Sequence, residues 1–307
     1  MKKILVTGGN KGIGLGIVKK LLDDYPDTYL LLGSRDVQRG ETAVKLLVAE
    51  LGDKIDKRLE MIQLDVCDGN SVKRAVDSVK SGHGELFGLI NNAGGILASP
   101  RETINLNTYA PITVTEAFLP LIQCPGGRIV QVSSAAGPNF VSNCSQDIQK
   151  LLVNPEVTFK QAETMVIEPY LKIMEDTSIP DEKKNEALED IGLNNSGMVG
   201  AGYGVSKAGL NAYTMEIARK YPKLLINACT PGFIETDLTR PMAERNGKTP
   251  EEMGMKPTSA GAMSSVFLMM GDLSRDQTGQ YYGSDAVRSP LHKYRSPGDP
   301  PYNGEFP

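Results

Sequence analysis

The sequence is poor in the residues that build metal centres and disulfide frameworks. Of its 307 residues only two are histidine and four are cysteine. His83 and His292 lie far apart and outside any ligand spacing, so a zinc-dependent dehydrogenase site is excluded and no metal is expected. Cys67, Cys124, Cys144 and Cys229 are widely separated and show no CxxC spacing, which points to reduced thiols in a cytoplasmic setting. No apolar run approaches the length of a membrane span. The opening Met1-Lys2-Lys3 leads only into Ile4 to Val6, too short an apolar stretch for a secretory leader. Charge of one sign is lacking too. The formal net charge of -4 is spread over mixed segments, and without a basic stripe nucleic acid is not an expected partner. What is present is ordinary for a globular chain: 40% hydrophobic and 23% charged residues, with no internal repeat. The length suits one large α/β domain or two small ones.

Short apolar, β-rich runs alternate with helical patterns. Six strands are predicted: Lys3 to Thr7, Thr28 to Leu32, Leu59 to Leu64, Leu86 to Asn91, Arg128 to Ser133 and Leu224 to Thr230. Segments such as Ile13 to Leu22 and Val72 to Val79 carry apolar residues at helical spacing, as crossover helices covering both faces of a parallel sheet require. The fold class expected is therefore α/β, a doubly wound parallel sheet of Rossmann type. Two stretches break the rhythm. The first, residues 135–201, contains Phe159, Ala162, Met165, Val166, Tyr170 and Ile173 at the spacing of an amphipathic helix, with a kink expected at Pro169. The second, residues 288–307, carries Pro290, Pro297, Pro300, Pro301 and Pro307, which leaves two outcomes open, disorder or a wrap around the domain. Neither has the make-up of an independent domain. A single dinucleotide-binding and catalytic domain over residues 1–307 is expected, with a helical insertion before Tyr203 and a Pro-rich tail.

The run Thr7-Gly8-Gly9-Asn10-Lys11-Gly12-Ile13-Gly14 follows the first strand and opens the first helix, where a pyrophosphate can meet free backbone N–H groups and the positive end of the helix dipole. Gly8, Asn10, Lys11, Gly12, Ile13 and Gly14 are thus candidate cofactor contacts. At the end of the second strand an acidic side chain would favour NAD, since it accepts hydrogen bonds from a ribose 2′-hydroxyl and repels a 2′-phosphate. Ser34 stands there instead, and Arg35 follows. Arg35, with Lys11 as a second cation, favours NADPH; the competing possibility is that Asp36 serves as the ribose acid and Arg35 faces solvent.

Tyr203 and Lys207 are four residues apart at the start of a predicted helix, which sets phenol and ammonium on one face. A phenol near pKa 10 exchanges protons poorly at neutral pH, and a neighbouring cation lowers that value, which suits general acid–base work. YxxxK alone is common in helices where the tyrosine packs and the lysine is solvated. The order of four motifs along the chain, Thr7-Gly8-x-x-x-Gly12-x-Gly14, Asn91-Asn92-Ala93-Gly94, Ser133-Ser134 and Tyr203-x-x-x-Lys207, changes the weight of that pair. In this the chain resembles the short-chain dehydrogenase/reductase family, to about Ser284. Gly-Gly-Asn-Lys-Gly-Ile-Gly, Ser34-Arg35-Asp36, Leu64-Asp65-Val66 and the long insertion before the tyrosine look most like its monomeric, NADPH-dependent carbonyl reductases.

The resemblance implies roles position by position. Tyr203 would protonate a carbonyl oxygen as hydride arrives from NADPH. Lys207 would hold the nicotinamide ribose, Ser134 would hydrogen-bond the substrate oxygen, and Asn107 would kink a central helix and anchor a relay water, with Asn105 nearby. Asp65 and Val66 would meet the adenine. Asn91 and Asn92 would line the cofactor cleft, and Pro231, Ile234 and Thr236 would lie along nicotinamide and phosphates. Phe140, Met198 and Phe233 are the apolar candidates for the substrate pocket, beside Ser134 and Tyr203. They point to a small lipophilic ketone, aldehyde or quinone. The insertion would cover the surface through which other members oligomerise, implying a monomer. Two other functions compete: an NAD-dependent alcohol or hydroxysteroid dehydrogenase, and a protein that senses NADPH without turnover.

Overall fold

The structure, a computed structural model, describes residues 1–194 and 202–304. Its centre is a parallel sheet of seven strands: β1 (Lys2–Val6), β2 (Thr28–Ser34), β3 (Leu59–Gln63), β4 (Gly88–Asn91), β5 (Arg128–Val132), β6 (Leu225–Cys229) and β7 (Tyr281–Tyr282). The order is β3-β2-β1-β4-β5-β6-β7. The six predicted strands are present, with ends moved by one or two residues; Leu86 contributes only an isolated bridge to Ile122. β7 escaped prediction because two residues show no period.

Alternation along each strand divides the core. Ile4, Val6, Leu30, Leu32 and Val130 face one side, where α1 (Gly12–Asp24), α2 (Val37–Leu51) and α14 (Met263–Met270) pack. Leu5, Leu31, Leu89, Ile129 and Ile226 face the other, against α3 (Gly69–Gly82), α5 (Ala110–Phe118) and α11 (Tyr203–Lys220). Leu31 is fully buried. Leu31→Ala is expected to cost about 2–5 kcal/mol, from lost transfer energy plus the cavity left behind, and urea denaturation would measure it.

Between β5 and α11 the chain makes α6 (Ala136–Ser142), α7 (Gln146–Val153), α8 (Phe159–Ala162), α9 (Glu168–Glu175) and α10 (Lys184–Asp190). They close a third apolar cluster against α11, including Phe140, Ile148, Leu152, Tyr170, Leu188 and Val205. The expected amphipathic helix is present with a correction. A π-turn over Glu163–Ile167 joins α8 to α9, so the helical run continues past Pro169. The wide turn moves the buried stripe onto Val166, Ile167, Tyr170 and Leu171, and Met165 is left outside.

Of the two outcomes open for the tail, the described residues wrap. The Arg295 guanidinium is buried and donates to both Asp285 oxygens, at 2.6 and 2.5 Å. Arg288 stacks on the Tyr302 ring, and Leu291 packs against the third cluster. All four thiols are free. Among the described residues no helix is long and apolar enough to cross a membrane.

Candidate active site

Strand order reverses between β1 and β4, and a crevice opens at the carboxyl ends of those strands, as open α/β sheets require. A cleft of about 390 Å³ occupies it. Its floor is the glycine loop. Gly8 and Gly12 have φ of +63° and +56°, in the left-handed region that favours glycine. A Cβ on Gly14 would collide with the carbonyl oxygen of Gly8 and the amide of Asn92. α1 begins there with no side-chain cap and no acid in its first turn, so its leading N–H groups and dipole end are open to an anion. Thr7 Oγ1 accepts from the backbone N–H groups of Asn92 and Ala93, while Asn92 Nδ2 donates to Thr7 O at 2.9 Å. This ties the loop to the end of β4.

Ser34, Arg35, Asp36 and Arg39 line the cleft at the end of β2, and Leu64, Asp65, Val66 and Cys67 line it at the end of β3. Asp36 is engaged as the cap of α2, accepting from Arg39 N at 2.9 Å. Arg39 was missed in the sequence, although it stands one helical turn after Arg35. Two guanidinium groups thus border the place where a ribose would lie.

Lys11, expected as a second cation, lines the cleft and is already paired there: its ammonium lies 2.7 Å from Asp237 Oδ2, and this partner holds the Asp237 carboxyl below the usual range. The contact between glycine loop and β6 loop is long-range, so no local pattern announces it. Asp237→Asn is expected to release Lys11 and to strengthen NADPH binding relative to NADH about two- to fivefold, the scale of one exposed ion pair. Titration with both nucleotides measures it.

Asn91 is corrected as well. Strand alternation turns it away from the cleft into the interior beside Gln131, where its Nδ2 donates to Thr115 Oγ1 at 2.8 Å. Thr236 lines the cleft, whereas Ile234 is buried against Gly261 and Ile13, and Pro231 is half-buried outside the lining.

Tyr203 opens α11 after Gly202, whose φ of +75° lets the chain turn into the helix. Lys207 is 4% exposed, donates to Val132 O at 3.0 Å, and sits with Nζ 5.6 Å from the centre of the Tyr203 ring. Burial pulls the lysine down to about 8. The tyrosine moves opposite to expectation: burial pushes its phenol up, and hydrogen bonding from Ser134 counters only part of that. Asn107 is fully buried in a π-turn over Asn105–Tyr109; its Oδ1 accepts from Gly95 N at 3.0 Å and its Nδ2 donates to Gly95 O at 2.7 Å and Thr103 O at 2.9 Å. Asn105 is exposed. A Cβ on Gly94 would lie 2.8 Å from Asn107 Oδ1 and 3.5 Å from Lys207 Nζ, so the end of β4, the π-turn and α11 converge.

Among the pocket candidates, Phe140 is 6% exposed, packed in the third cluster against Gly204, and is core rather than pocket. Phe233 is 40% exposed beyond β6. Met198 lies outside the described residues. Leu97 and Leu106, which the sequence did not single out, line the cleft.

A family model of short chain dehydrogenases matches residues 2–145. Carbonyl reductase [NADPH] 3 of Rattus norvegicus is 33% identical over 275 residues, 83% of this chain and 91% of that protein. The chain belongs to the short-chain dehydrogenase/reductase family. Carbonyl reductase [NADPH] 1 of Homo sapiens is 33% identical over 86% of this chain and 94% of its own length. Among solved structures, salutaridine reductase from Papaver somniferum superposes with a TM-score of 0.72 at 27% identity, covering 92% of this chain and 99% of that one. Menthone neomenthol reductase from Mentha piperita gives 0.70 at 27% identity, over 92% and 98%.

Proposed function

We propose that this protein is an NADPH-dependent short-chain oxidoreductase that reduces a small carbonyl compound to an alcohol, with Tyr203 as general acid. The observation that carries this is one continuous arrangement: Arg35 and Arg39 at one end of the cleft, the uncapped start of α1 in its middle, and Lys207, Asn107 and Gly94 converging at the other. NADPH, when bound, supplies the hydride equivalent. The chain supplies the rest. Backbone N–H groups at the start of α1 hold the pyrophosphate, Asp65 and Val66 border the adenine, and the two guanidinium groups take the 2′-phosphate, for which planar, permanently charged donors are suited. Tyr203 Oη gives its proton to the carbonyl oxygen, Ser134 orients that oxygen, and the Lys207 ammonium favours the charge left on the phenol.

NADPH is favoured over NAD because Asp36 spends its carboxylate on the cap of α2 while both arginines face the cleft. Comparing the affinities for NADPH and NADH tests this, and a preference for NADH would overturn it. Exposed Leu97, at 43%, and Phe233 support lipophilic ketones, aldehydes or quinones as substrates. Following NADPH oxidation against a panel of such compounds tests the activity; binding without turnover would make the protein a sensor instead. Helices α6 to α10 cover one side of α11, which favours a monomer, and four free thiols suit the cytoplasm. A stable tetramer in light scattering would refute the monomer.

A further inference from the structure

Gly202, which leads into α11, and Gly204 and Gly209 within it let other elements rest directly on the backbone of that helix. Each meets a side chain of the insertion. A Cβ at Gly202 would lie 3.3 Å from Tyr170 Cε1 of α9 and 3.3 Å from Pro100 Cβ of α4 (Pro100–Ile104). At Gly204 it would lie 2.8 Å from Phe140 Cβ of α6, and at Gly209 2.8 Å from Ile167 Cδ1 in the π-turn of the insertion. Gly204 and Gly209 thus leave no free space for a Cβ. Tyr203 and Lys207 stand between these three seats, so the turn that carries them is held by the insertion at close range.

The side chains on these seats belong to a braced frame. The wide π-turn over Glu163–Ile167 brings Ile167 and Tyr170 into the buried stripe, and Tyr170 is among the largest side chains with no exposure at all. Tyr109 Oη, at the end of the π-turn that holds Asn107, donates to Glu163 Oε1 at 2.9 Å and so joins the two π-turns. Arg101 Nε of α4 donates to Glu175 Oε1 at the end of α9, at 2.7 Å. The two elements that touch Gly202 are therefore tied to each other. Within α11, Ser206 N donates to Gly202 O at 2.9 Å and closes the first turn, while Thr108 Oγ1 donates to Ser206 O at 2.7 Å. The start of the helix is set by side chains of α4 and α9.

We infer that the insertion positions Tyr203, chiefly through Tyr170: the Tyr170 ring against Gly202 fixes where α11 begins and hence where the Tyr203 phenol stands. The inference rests on Tyr203 as general acid. Tyr170 is a positioning residue, since it acts only through Gly202 and Tyr203. Proton transfer needs the phenol oxygen within hydrogen-bond reach of the carbonyl oxygen, and a displacement of about 1 Å costs on the order of 10²-fold in rate. The insertion then does more than cover a face of α11. It is the backing against which the proton donor is held.

The test is Tyr170→Leu, which removes the ring edge at Gly202. Its kcat is expected to fall about 10–100-fold. NADPH affinity should stay within about twofold, because the glycine loop is untouched and Lys207 keeps its bond to Val132 O. Tyr170→Phe keeps the ring edge and should hold kcat within about fivefold, the scale of one hydrogen bond. Ile148→Ala opens a cavity in the same apolar cluster, but beside Gly192 at the far end of α10; it should melt lower and keep its kcat. Equal losses of kcat in Tyr170→Leu and Ile148→Ala would make the effect one of general stability and overturn the inference, as would an unchanged kcat in Tyr170→Leu. If Tyr170→Leu fails to fold, Ile167→Val deletes only the Cδ1 that rests on Gly209; a fall in kcat of about three- to tenfold supports the inference and an unchanged kcat overturns it. Amide hydrogen exchange gives a readout without turnover. Peptides over 203–209 should exchange about tenfold faster in Tyr170→Leu than in Ile148→Ala, and equal exchange refutes the inference. Wild-type protein that reduces no carbonyl would refute the reductase function, while exchange still decides whether Tyr170 sets the start of α11.

Discussion

Tyr203→Phe is expected to lower kcat about 10²–10⁴-fold while leaving NADPH affinity within about twofold, because a general acid acts in the transition state and not in cofactor binding. The phenyl ring keeps the packing of α11 against α6, and the variant removes only the oxygen that carries the transferred proton. Stopped-flow turnover together with fluorescence titration of bound NADPH separates the two quantities. A variant with full turnover would remove Tyr203 from the chemistry. Equal losses in binding and turnover would give it a structural role instead. Ser134→Ala should lose less, since Ser134 contributes orientation and one hydrogen bond.

Replacing Arg35 and Arg39 together by Ser is expected to weaken NADPH binding about 100-fold or more and to leave NADH binding nearly unchanged. Each guanidinium bond to a phosphate contributes roughly 1.5–3 kcal/mol, and about 1.4 kcal/mol is a factor of ten in affinity. Both side chains line the cleft at the end of β2, and Arg39 Nε also lies 3.8 Å from Asp36 Oδ2. That exposed pair contributes little to stability, so the double variant should fold. Nucleotide titrations at two salt concentrations check the assignment, since a contact between exposed charges is screened by added salt. Equal weakening of NADPH and NADH would place the arginines elsewhere on the dinucleotide.

The features legible in the sequence are those in which local pattern and local chemistry coincide. A glycine loop after a strand and before a helix declares its own geometry, because positive φ and an uncapped helix start are properties of neighbouring residues. Tyr203 and Lys207 share a face because helical spacing puts them there. The alternation of strands and helices carried the fold class, since only a sheet covered on both sides needs such continuous apolar strands.

Legibility failed where a side chain's partner lies far away in the sequence. Nothing near Lys11 in the sequence announces Asp237, which the loop after β6 places opposite it. Asn91 belongs to a motif at the cleft, yet its neighbours in β5 and α5 draw it inward. Phe140 was a pocket candidate by proximity to Ser134, and the third core cluster took it. Arg39 could have been found from the first turn of α2.

The parallel α/β architecture, the glycine loop and the helical pairing of tyrosine and lysine are written locally, because backbone preference, apolar period and spacing act over a few residues. Tertiary structure alone decided which charges are free, where the tail lies and what surrounds the catalytic phenol. Those are outcomes of burial and of contacts between distant segments, and burial is what pushed the Tyr203 phenol up where its neighbouring lysine was expected to bring it down.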